Sequence, residues 1–580
     1  MSKFVVSKQN IVTDVETRDK ITLITQFYIC NDNEEVMQNE EDKNFLITKK
    51  MAEQRNRELR DCLKKNVENN LITKIILLNE KKYTEEELGI TSKKIKQIIL
   101  NKRITFKDVF NHVTGDHLKG YVIMANADIF FDKTLSTIFK SDLKQCKRVL
   151  TPLRYEYDIK YKNLKLCKIF GPTSGTQDTW IFHVDHNVEK QYRKLFNLKF
   201  GQFNCDNKVL YLFNLLGYEL VNDPTTLKTY HHHKGMARCY DKTNIPEPYM
   251  FILPKLNRSY GTEYYPLDML CKPLKTDIER LTENGNRFCK DVEKFHNILD
   301  YDAQKINKDD FFIISKTNSI YNGVVYNMIE SGKSARDGNE YFTKMLESKV
   351  GQGLSELRKK GLNINKVQEV QVYITILISV FKMSKAVLFP SPITNDFREN
   401  AKENNDMLKI IRSNCDTILS DDAISLTNKF NNKLWIENIK NKKILILTDN
   451  EDVINKQKDN LNDIWGRDIF ENCEITTYPL PKHTEEDARG GKSVIDYAQN
   501  YVNEIGKKLG PNLFGIDMVL LDETPFSWFI LYYFEKIKTT TIDVGEELNM
   551  YFGVYNEGLQ ERYKDFLSVY KNKYWINVIC

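Results

Sequence analysis

An acidic motif follows an apolar run in the segment Tyr121–Asp132, which reads Tyr-Val-Ile-Met-Ala-Asn-Ala-Asp-Ile-Phe-Phe-Asp. Asn126 and Asp128 come where a buried parallel strand would end, and α/β sheets bind their ligands at the carboxyl ends of such strands. A carboxylate at that edge can hold a hard divalent cation, which in turn neutralises a diphosphate. The alternative is a core strand that ends in a solvated Asp turn.

A second polar motif is the turn Gly175–Asp178, which leads into the aromatic strand Thr179–Phe182. An Asp in front of Trp180 can orient a sugar hydroxyl while the indole face stacks on the sugar ring. Alternatively, Asp178 caps the turn and Trp180 packs in the core.

A third acidic residue, Asp206, precedes an amphipathic helix predicted over Lys208–Leu216. One interpretation is a helix N-cap. The same placement suits a general base, because the helix N-terminus fixes the orientation of the carboxylate and its dipole keeps the carboxylate ionised.

Three consecutive histidines, His231 to His233, occur in a chain that has nine in all. Alternate residues of an extended segment face the same way, so His231 and His233 share a side. Neutral imidazoles on one side can complete a metal site. A surface histidine run without a role is the alternative.

Taken in order, these motifs resemble the inverting glycosyltransferases with the GT-A fold. They are most similar to a group of transferase-like proteins that share Asn-Ser/Ala-Asp-Ile-x-Phe-Asp, Gln-Asp-x-Trp-Ile-Phe, Cys-Asp-Asn and Thr-x-His-x-His, and the similarity covers roughly Ile21–Tyr240. The resemblance implies a nucleoside-diphosphate sugar as donor, a glycan as acceptor, and Mn²⁺ or Mg²⁺ as cation. Metal binding is the implied role of Asp128, His231 and His233. Catalysis is the implied role of Asp206, as the base, and of Asp178, which lines the acceptor pocket with Gln177. Donor binding is the implied role of Gln26, Tyr28, Asn126 and Asp128.

The chain departs from the family pattern at Asn126, where a full D-x-D motif has its first acid. An amide oxygen can still meet a ribose hydroxyl or a metal-bound water, but the affinity for the metal should fall. Inversion of the anomeric carbon is expected because the resembling families invert, and the sequence leaves retention as the open alternative.

The elements that would position these residues alternate between strand and helix. The predicted strands of the first half are Ile21–Ile29, Ile72–Leu78 and Tyr121–Phe131, and the predicted helices are Phe45–Val67 and Lys107–Val113. This alternation indicates a parallel sheet with crossover helices. We therefore predict an α/β protein with a GT-A-like, Rossmann-like domain of mostly parallel sheet over residues 1–254, a connector over 255–309 and a second Rossmann-like α/β domain over 310–580.

The second domain is predicted from five strands, namely Phe311–Ser315, Ala386–Phe389, Lys443–Thr448, Ile516–Leu521 and Thr540–Val544. Its end resembles another transferase-associated family, whose domains close with Ile-x-x-Gly-Gly-x-Leu-Gln-x-x-Phe-Gly-Ile. Glu546 replaces the second Gly of that motif and Asn549 replaces the Gln. The domain is either a second transferase, with Asp522 and Glu523 as its best placed acids, or a diverged scaffold.

The composition excludes several classes of protein. The 580 residues carry 85 Lys and Arg against 80 Asp and Glu, and the net charge of +5 is spread along the chain, unlike the clustered basic face of a nucleic-acid binder. The eleven cysteines include no C-x-x-C pair, which argues against a disulfide framework. No signal peptide is visible, and the longest apolar run, Val372–Phe381, is too short for a membrane span. We expect a cytoplasmic protein.

The sequence thus predicts a glycosyltransferase, with three alternatives left open. A non-catalytic glycan-binding or assembly protein that keeps the fold is favoured by Asn126. A bifunctional enzyme would use both domains. A nucleotidyltransferase would also use an acidic strand end, but Gln26–Ile29 lacks the Gly-rich phosphate loop of that class. The sequence does not decide whether the protein forms a homo-oligomer.

Overall fold

The computed structural model describes residues 19–32, 35–36, 45–161, 163–170, 177–234, 245–246, 249–250, 252, 295, 297–299, 311–317, 322, 362, 364, 367–390, 401–427, 433–481, 493–510 and 515–578. The chain divides into two compact units, residues 1–286 and 287–580. The domain boundaries drawn from the sequence stay predictions. Most of the predicted connector and Gly175 of the predicted turn lie outside the described residues.

Unit 1 contains strands and helices in alternation. Its strands are β1 (Ile21–Thr25), β2 (Glu35–Val36), β3 (Phe45–Leu46), β4 (Lys74–Asn79), β5 (Ile95–Ile99), β6 (Tyr121–Ala125), β7 (Ile129–Phe131), β8 (Arg148–Leu150), β9 (Tyr155–Glu156), β10 (Lys168–Ile169), β11 (Thr179–His183), β12 (Glu219–Val221) and β13 (Thr229–His231). Its helices are α1 (Lys49–Glu68), α2 (Glu85–Leu88), α3 (Phe106–Gly115) and α4 (Cys205–Leu215).

The main sheet of unit 1 has seven strands in the order β12-β8-β11-β6-β1-β4-β5. Strand β11 runs antiparallel to β6 and β8, while the other neighbouring pairs are parallel. The α/β fold with a mostly parallel sheet is therefore confirmed. Strands β1, β4 and β6 are buried along nearly their whole length, as expected for a sheet that has other elements packed on both of its faces.

The segment predicted as one strand over Tyr121–Phe131 is two strands in two different sheets. Strand β6 ends at Ala125, and a turn closed by the hydrogen bond from Ile129 N to Asn126 O redirects the chain into β7. Strand β7 joins a four-stranded sheet in the order β10-β9-β13-β7. Asp128 therefore lies at the junction of the two sheets, next to β13 and its histidines.

Helix α1 packs beside this junction. It begins after Thr48, whose side chain accepts a hydrogen bond from Met51 N, so the predicted start at Phe45 was four residues too early. Asn66 lies on its buried face and binds the backbone of β7, donating to Ile129 O at 2.8 Å and accepting from Phe131 N at 3.3 Å. These two bonds hold the helix against the strand that follows Asp128.

Unit 2 contains a seven-stranded sheet in the order β16-β15-β14-β20-β19-β17-β18, and all of its neighbouring pairs are parallel. Its strands are β14 (Ile313–Lys316), β15 (Ala386–Phe389), β16 (Ile418–Ser420), β17 (Lys443–Leu447), β18 (Glu474–Tyr478), β19 (Met518–Leu521), β20 (Thr540–Asp543), β21 (Val554–Tyr555) and β22 (Ile576–Asn577). Its helices are α5 (Val367–Met383), α6 (Ala401–Arg412), α7 (Glu451–Gln457), α8 (Leu461–Trp465), α9 (Val494–Leu509), α10 (Ser527–Lys536), α11 (Glu557–Arg562) and α12 (Lys564–Tyr570).

The second Rossmann-like sheet is thus confirmed, and each of its five predicted strands agrees with the structure to within two residues at either end. The apolar run Val372–Phe381 lies inside α5. Within the part of the chain that the structure describes, no helix combines the length and apolar character needed to cross a membrane.

Candidate active site

A cavity of about 260 Å³ opens at the carboxyl end of the main sheet of unit 1. It is lined by all eight residues that the sequence predicts for the site, namely Gln26, Tyr28, Asn126, Asp128, Asp178, Asp206, His231 and His233. Gln177, predicted beside Asp178, is fully buried and is not among the lining residues. The long-range pairing of strands therefore brings together motifs that lie far apart in the chain.

One end of the cavity centres on Asp128. Its Oδ2 atom lies 3.4 Å from His231 Nε2 and 3.6 Å from His233 Nδ1. Strand pairing sets this geometry, because His231 pairs with Ile129 and the amide of His232 donates to Asp128 O at 2.9 Å. His232 faces the other way and contacts Asp61 Oδ2 at 3.0 Å, so the alternation predicted for the triplet is confirmed.

Two charged residues complete the surroundings of the aspartate. Arg55 donates from Nη2 to Asp128 Oδ2 at 2.7 Å, and Glu156 contacts His231 Nδ1 at 3.2 Å. Burial opposes ionisation of Asp128, but Arg55 and His231 outweigh it and hold the pKa of this carboxyl well below its usual range. Asp128 therefore carries its charge at neutral pH although its exposed fraction is only 7%.

The pKa values of the two histidines are shifted in opposite directions. Burial and Arg154 lower the pKa of His231, but Asp128 and Glu156 outweigh them, so the net shift is upward. The pKa of His233 is lowered, mainly by burial. His233 is thus the better neutral ligand, and its Nε2 atom has no hydrogen-bonding partner among the described residues.

The donor atoms of Asp128, His231 and His233 lie within 4.8 Å of one another and fit a divalent cation. Two ligand atoms that are each about 2.1 Å from one ion lie roughly 3.0 to 3.4 Å apart, close to the observed spacing. Imidazoles suit transition metals, whereas Mg²⁺ takes oxygen ligands. Of the two predicted cations, this donor set favours Mn²⁺.

The other end of the cavity contains Asp178, held by two neighbours. Thr179 pairs with Ala125 across β11 and β6, so Asp178 lies beside Asn126, whose Nδ2 donates to Asp178 Oδ1 at 2.6 Å. The second carboxylate oxygen is paired with Arg154. The amide nitrogen of Asn126 is thus engaged with Asp178 rather than with Asp128.

Arg154 also connects the two ends of the cavity. Besides Asp178, its guanidinium contacts Glu156 Oε1 at 2.9 Å, and Glu156 in turn contacts His231. The guanidinium carbon lies 4.4 Å from the centre of the Phe170 ring, which keeps its plane fixed. A continuous series of charged contacts therefore runs from Asp128 through His231, Glu156 and Arg154 to Asp178.

Asp206 lies in the first turn of α4 rather than before the helix, because α4 begins at Cys205, three residues earlier than predicted. Asn204 precedes the helix with a left-handed backbone (φ 62°) and makes no side-chain cap, so Asp206 is not the N-cap. The predicted effect of the helix N-terminus on Asp206 is opposed by the surroundings of the carboxyl. Burial, with the nearby charge of Asp178, raises the pKa of Asp206 to about 7.

Trp180 does not stack on a ligand in the cavity. Its exposed fraction is 0%, and it packs edge-on against Phe106 with ring centroids 4.9 Å apart, so the core alternative was correct. The exposed aromatic residue on the cavity wall is Phe203, with an exposed fraction of 52%. It lies between Gly201 and Asn204, whose left-handed backbones (φ 67° and 62°) form a tight turn before α4.

Sequence reasoning missed Arg55, Arg154 and Phe203. A signal for Arg55 existed, since it shares one helix face with Leu59, Cys62 and Asn66. A charged residue on the buried stripe of an amphipathic helix requires a partner. Arg154 and Phe203 lie outside helices and strands, where no periodic pattern marks them.

The acids singled out in unit 2 have structural partners. Asp522 accepts hydrogen bonds from Thr448 Oγ1 at 2.8 Å, Asn549 Nδ2 at 2.7 Å and Glu523 N at 2.7 Å. Asn549, which replaces the Gln of the family motif, thus ties the ends of neighbouring strands together. Gly545 (φ 75°) approaches Lys316, whose Nζ would lie 3.1 Å from a Cβ at that position, and Glu546 pairs with Arg562.

No family model matches this chain, and no curated protein matches it. Among solved structures, it is similar to the mannosyltransferase PcManGT from Pyrobaculum calidifontis in complex with GDP-Man and Mn²⁺, at 9% sequence identity. The match covers 70% of this chain and 90% of that chain with a TM-score of 0.24. A TM-score this low carries no weight in assigning function, which is therefore argued from the site alone.

Proposed function

We propose that unit 1 is a glycosyltransferase that moves a sugar from a nucleoside-diphosphate sugar to a hydroxyl of a glycan or glycosylated acceptor. The observation that carries this proposal is the pairing of two chemistries in one cavity. A charged carboxylate with two imidazoles lies in the same cavity as a second carboxyl, Asp206, whose pKa is raised to about 7. The first set suits a cation and diphosphate, and Asp206 suits proton transfer near neutral pH.

The reaction requires one proton acceptor and one stabilised leaving group. Asp206 accepts the proton of the acceptor hydroxyl as that oxygen attacks the anomeric carbon. The bond from the anomeric carbon to the phosphate oxygen breaks, and its electron pair stays on the departing nucleoside diphosphate. A divalent cation held by Asp128, His231 and His233 would neutralise charge on that diphosphate. Attack from the face opposite the leaving group inverts the anomeric carbon.

Asp178 has a positioning role in this scheme. Its carboxylate is held in place by Asn126 and Arg154 and lines the same cavity as Asp206. The negative charge of Asp178 contributes to the raised pKa of Asp206 and makes Asp206 a stronger base once it is ionised.

The direct test is incubation of the full chain with a panel of UDP-, GDP- and TDP-sugars and Mn²⁺. We expect one donor to raise the melting temperature and to be slowly hydrolysed, with the hydrolysis and the Mn²⁺-dependent part of the stabilisation lost in Asp128→Ala. If no nucleotide sugar shifts the melting temperature while a free glycan does, the protein is the non-catalytic glycan-binding alternative.

The pH dependence of the reaction follows from Asp206. Because only the ionised carboxylate accepts a proton, we expect kcat to rise with pH, with an apparent pKa of about 7, and to level off above it. Asp178→Asn removes a neighbouring negative charge, so the rise should move to lower pH. Steady-state rates across about pH 5 to 9 measure both effects. A profile that Asp178→Asn leaves unchanged would show that another group titrates.

Phe203 is expected to support the acceptor. An exposed aromatic ring on the wall of a polar cavity offers a stacking face for a sugar. Phe203→Ala should raise the acceptor KM by about three- to tenfold, the worth of one aromatic stack, with the donor KM unchanged. Leu166→Ala is the matched control, because Leu166 is similarly exposed at 57% but is not among the residues that line the cavity. Equal effects of the two substitutions on the acceptor KM would contradict this role.

A further inference from the structure

Arg55 occupies an unusual place for a charged side chain. It lies on the buried face of α1 with an exposed fraction of 5%, and its guanidinium reaches the cavity between Tyr28 and Asp128. Tyr28 OH accepts from Nε at 3.3 Å and from Nη2 at 3.0 Å. The tyrosine thus fixes the plane of the guanidinium and directs Nη2 toward Asp128 Oδ2 at 2.7 Å.

The oxygen that Arg55 binds is the one nearest to both histidines. Asp128 Oδ2 lies 3.4 Å from His231 Nε2 and 3.6 Å from His233 Nδ1. A divalent cation placed among these three atoms would lie within a few ångströms of the guanidinium, where two positive charges repel strongly in a buried site. Arg55 and the cation therefore compete for one carboxylate oxygen.

Arg55 has a second terminal nitrogen, Nη1, that is paired less closely than Nη2. Nη1 is buried, lies 3.5 Å from the Glu58 carboxylate and makes no hydrogen bond within the described residues. The planar fork of a guanidinium matches the oxygens of a phosphate group. A guanidinium released from Asp128 could therefore bind phosphate with two donors.

We infer that Arg55 is a built-in cation of the donor site. The Arg55 guanidinium holds Asp128 until a divalent cation displaces it, and the same guanidinium binds the diphosphate. This inference rests on the proposed function for the identity of the anion. The inference explains how the site can function with Asn126 in place of a second acid. The positive charge of Arg55 neutralises part of the diphosphate charge that the metal would otherwise neutralise alone. A diphosphate also competes with Asp128 for the guanidinium, so pyrophosphate should still bind, more weakly, when no metal is present.

The test measures binding of Mn²⁺ alone and of inorganic pyrophosphate alone to the full chain, without turnover. Free Mn²⁺ is followed by electron paramagnetic resonance and pyrophosphate by calorimetry in the presence of a chelator. In Arg55→Gln we expect Mn²⁺ to bind about tenfold more tightly, because one competing charge is gone. Metal-free pyrophosphate should bind at least about tenfold more weakly, as expected for the loss of a charged hydrogen-bonding fork.

Arg103→Gln is the matched control, because Arg103 also lines the cavity and its loss changes the net charge equally. We expect it to change Mn²⁺ affinity by less than about threefold, the size of a screened charge effect. Equal tightening of Mn²⁺ binding in both variants would mean a general electrostatic effect and would overturn the inference, as would unchanged or weaker Mn²⁺ binding in Arg55→Gln.

A second variant, Arg55→Lys, keeps the inference testable if Arg55→Gln fails to fold. Arg55→Lys keeps the positive charge but not the planar fork, so Mn²⁺ affinity should stay near that of the unchanged protein while metal-free pyrophosphate binding falls. Unchanged pyrophosphate binding in this variant would contradict the role of the guanidinium. If no sugar transfer is found but the Mn²⁺ competition persists, the proposed function fails and the inference on Arg55 stands.

Discussion

Replacing Asp206 with asparagine is expected to lower kcat by about 10²- to 10⁴-fold, the usual worth of a general base. The substitution keeps the shape of the side chain but removes the proton acceptor. Donor binding should persist, since the donor end of the cavity centres on Asp128 and the two histidines. Single-turnover sugar transfer and nucleotide-sugar binding, measured on the same preparation, separate the two effects.

The stability of Asp206→Asn distinguishes a base from a structural acid. Because the folded-state pKa of Asp206 is raised from 3.8 to about 7, the folded protein holds a proton that the unfolded chain has lost between these values, and stability falls as pH rises through that window. The neutral amide escapes this loss, so the variant should be more stable at pH 8, by roughly 1 to 3 kcal/mol after allowance for partial exposure. Loss of both stability and activity would instead indicate a helix-stabilising residue.

Asp128→Ala is expected to abolish the stabilisation by Mn²⁺ and to lower the free energy of unfolding by about 3 to 5 kcal/mol. The physical reason is that the substitution leaves the buried Arg55 without its carboxylate partner. Chemical denaturation with and without Mn²⁺ measures both quantities. Sugar transfer should be lost as well, since no carboxylate remains to position the cation and the guanidinium.

Asp61→Ala is the control for this substitution. Asp61 pairs with His232, the middle histidine of the triplet, but it is partly exposed and is not among the residues that line the cavity. Loss of Asp61 leaves the buried His232 without its partner, which should cost about 1 to 3 kcal/mol, and Mn²⁺ binding should remain intact. Full Mn²⁺ binding by Asp128→Ala would remove Asp128 from the metal site.

The strands around the site could be predicted because their signals are local. Adjacent residues in the chain produce the apolar runs of β1, β4 and β6 and the alternation of the histidine triplet. These patterns can therefore be recognised from the sequence without the tertiary structure. The same holds for five of the seven parallel strands of unit 2, whereas β16 and β18 were not predicted. Errors occurred where a local pattern has two meanings, as at Tyr121–Phe131, where one apolar run contains two strands of different sheets.

The sequence alone determined which motifs carry acids, amides and imidazoles, and that these follow the ends of apolar strands. Only the tertiary structure decided their partners. Arg55 contacts Asp128, 73 residues away in the chain, and Arg154 contacts Asp178, 24 residues away. No periodic pattern in the sequence indicates either contact. The burial of Trp180 and the raised pKa of Asp206 likewise depend on side chains that surround them from other segments. Charge, burial and proton affinity are set by three-dimensional neighbours, and therefore the chemistry of the site appeared only once the strands were paired.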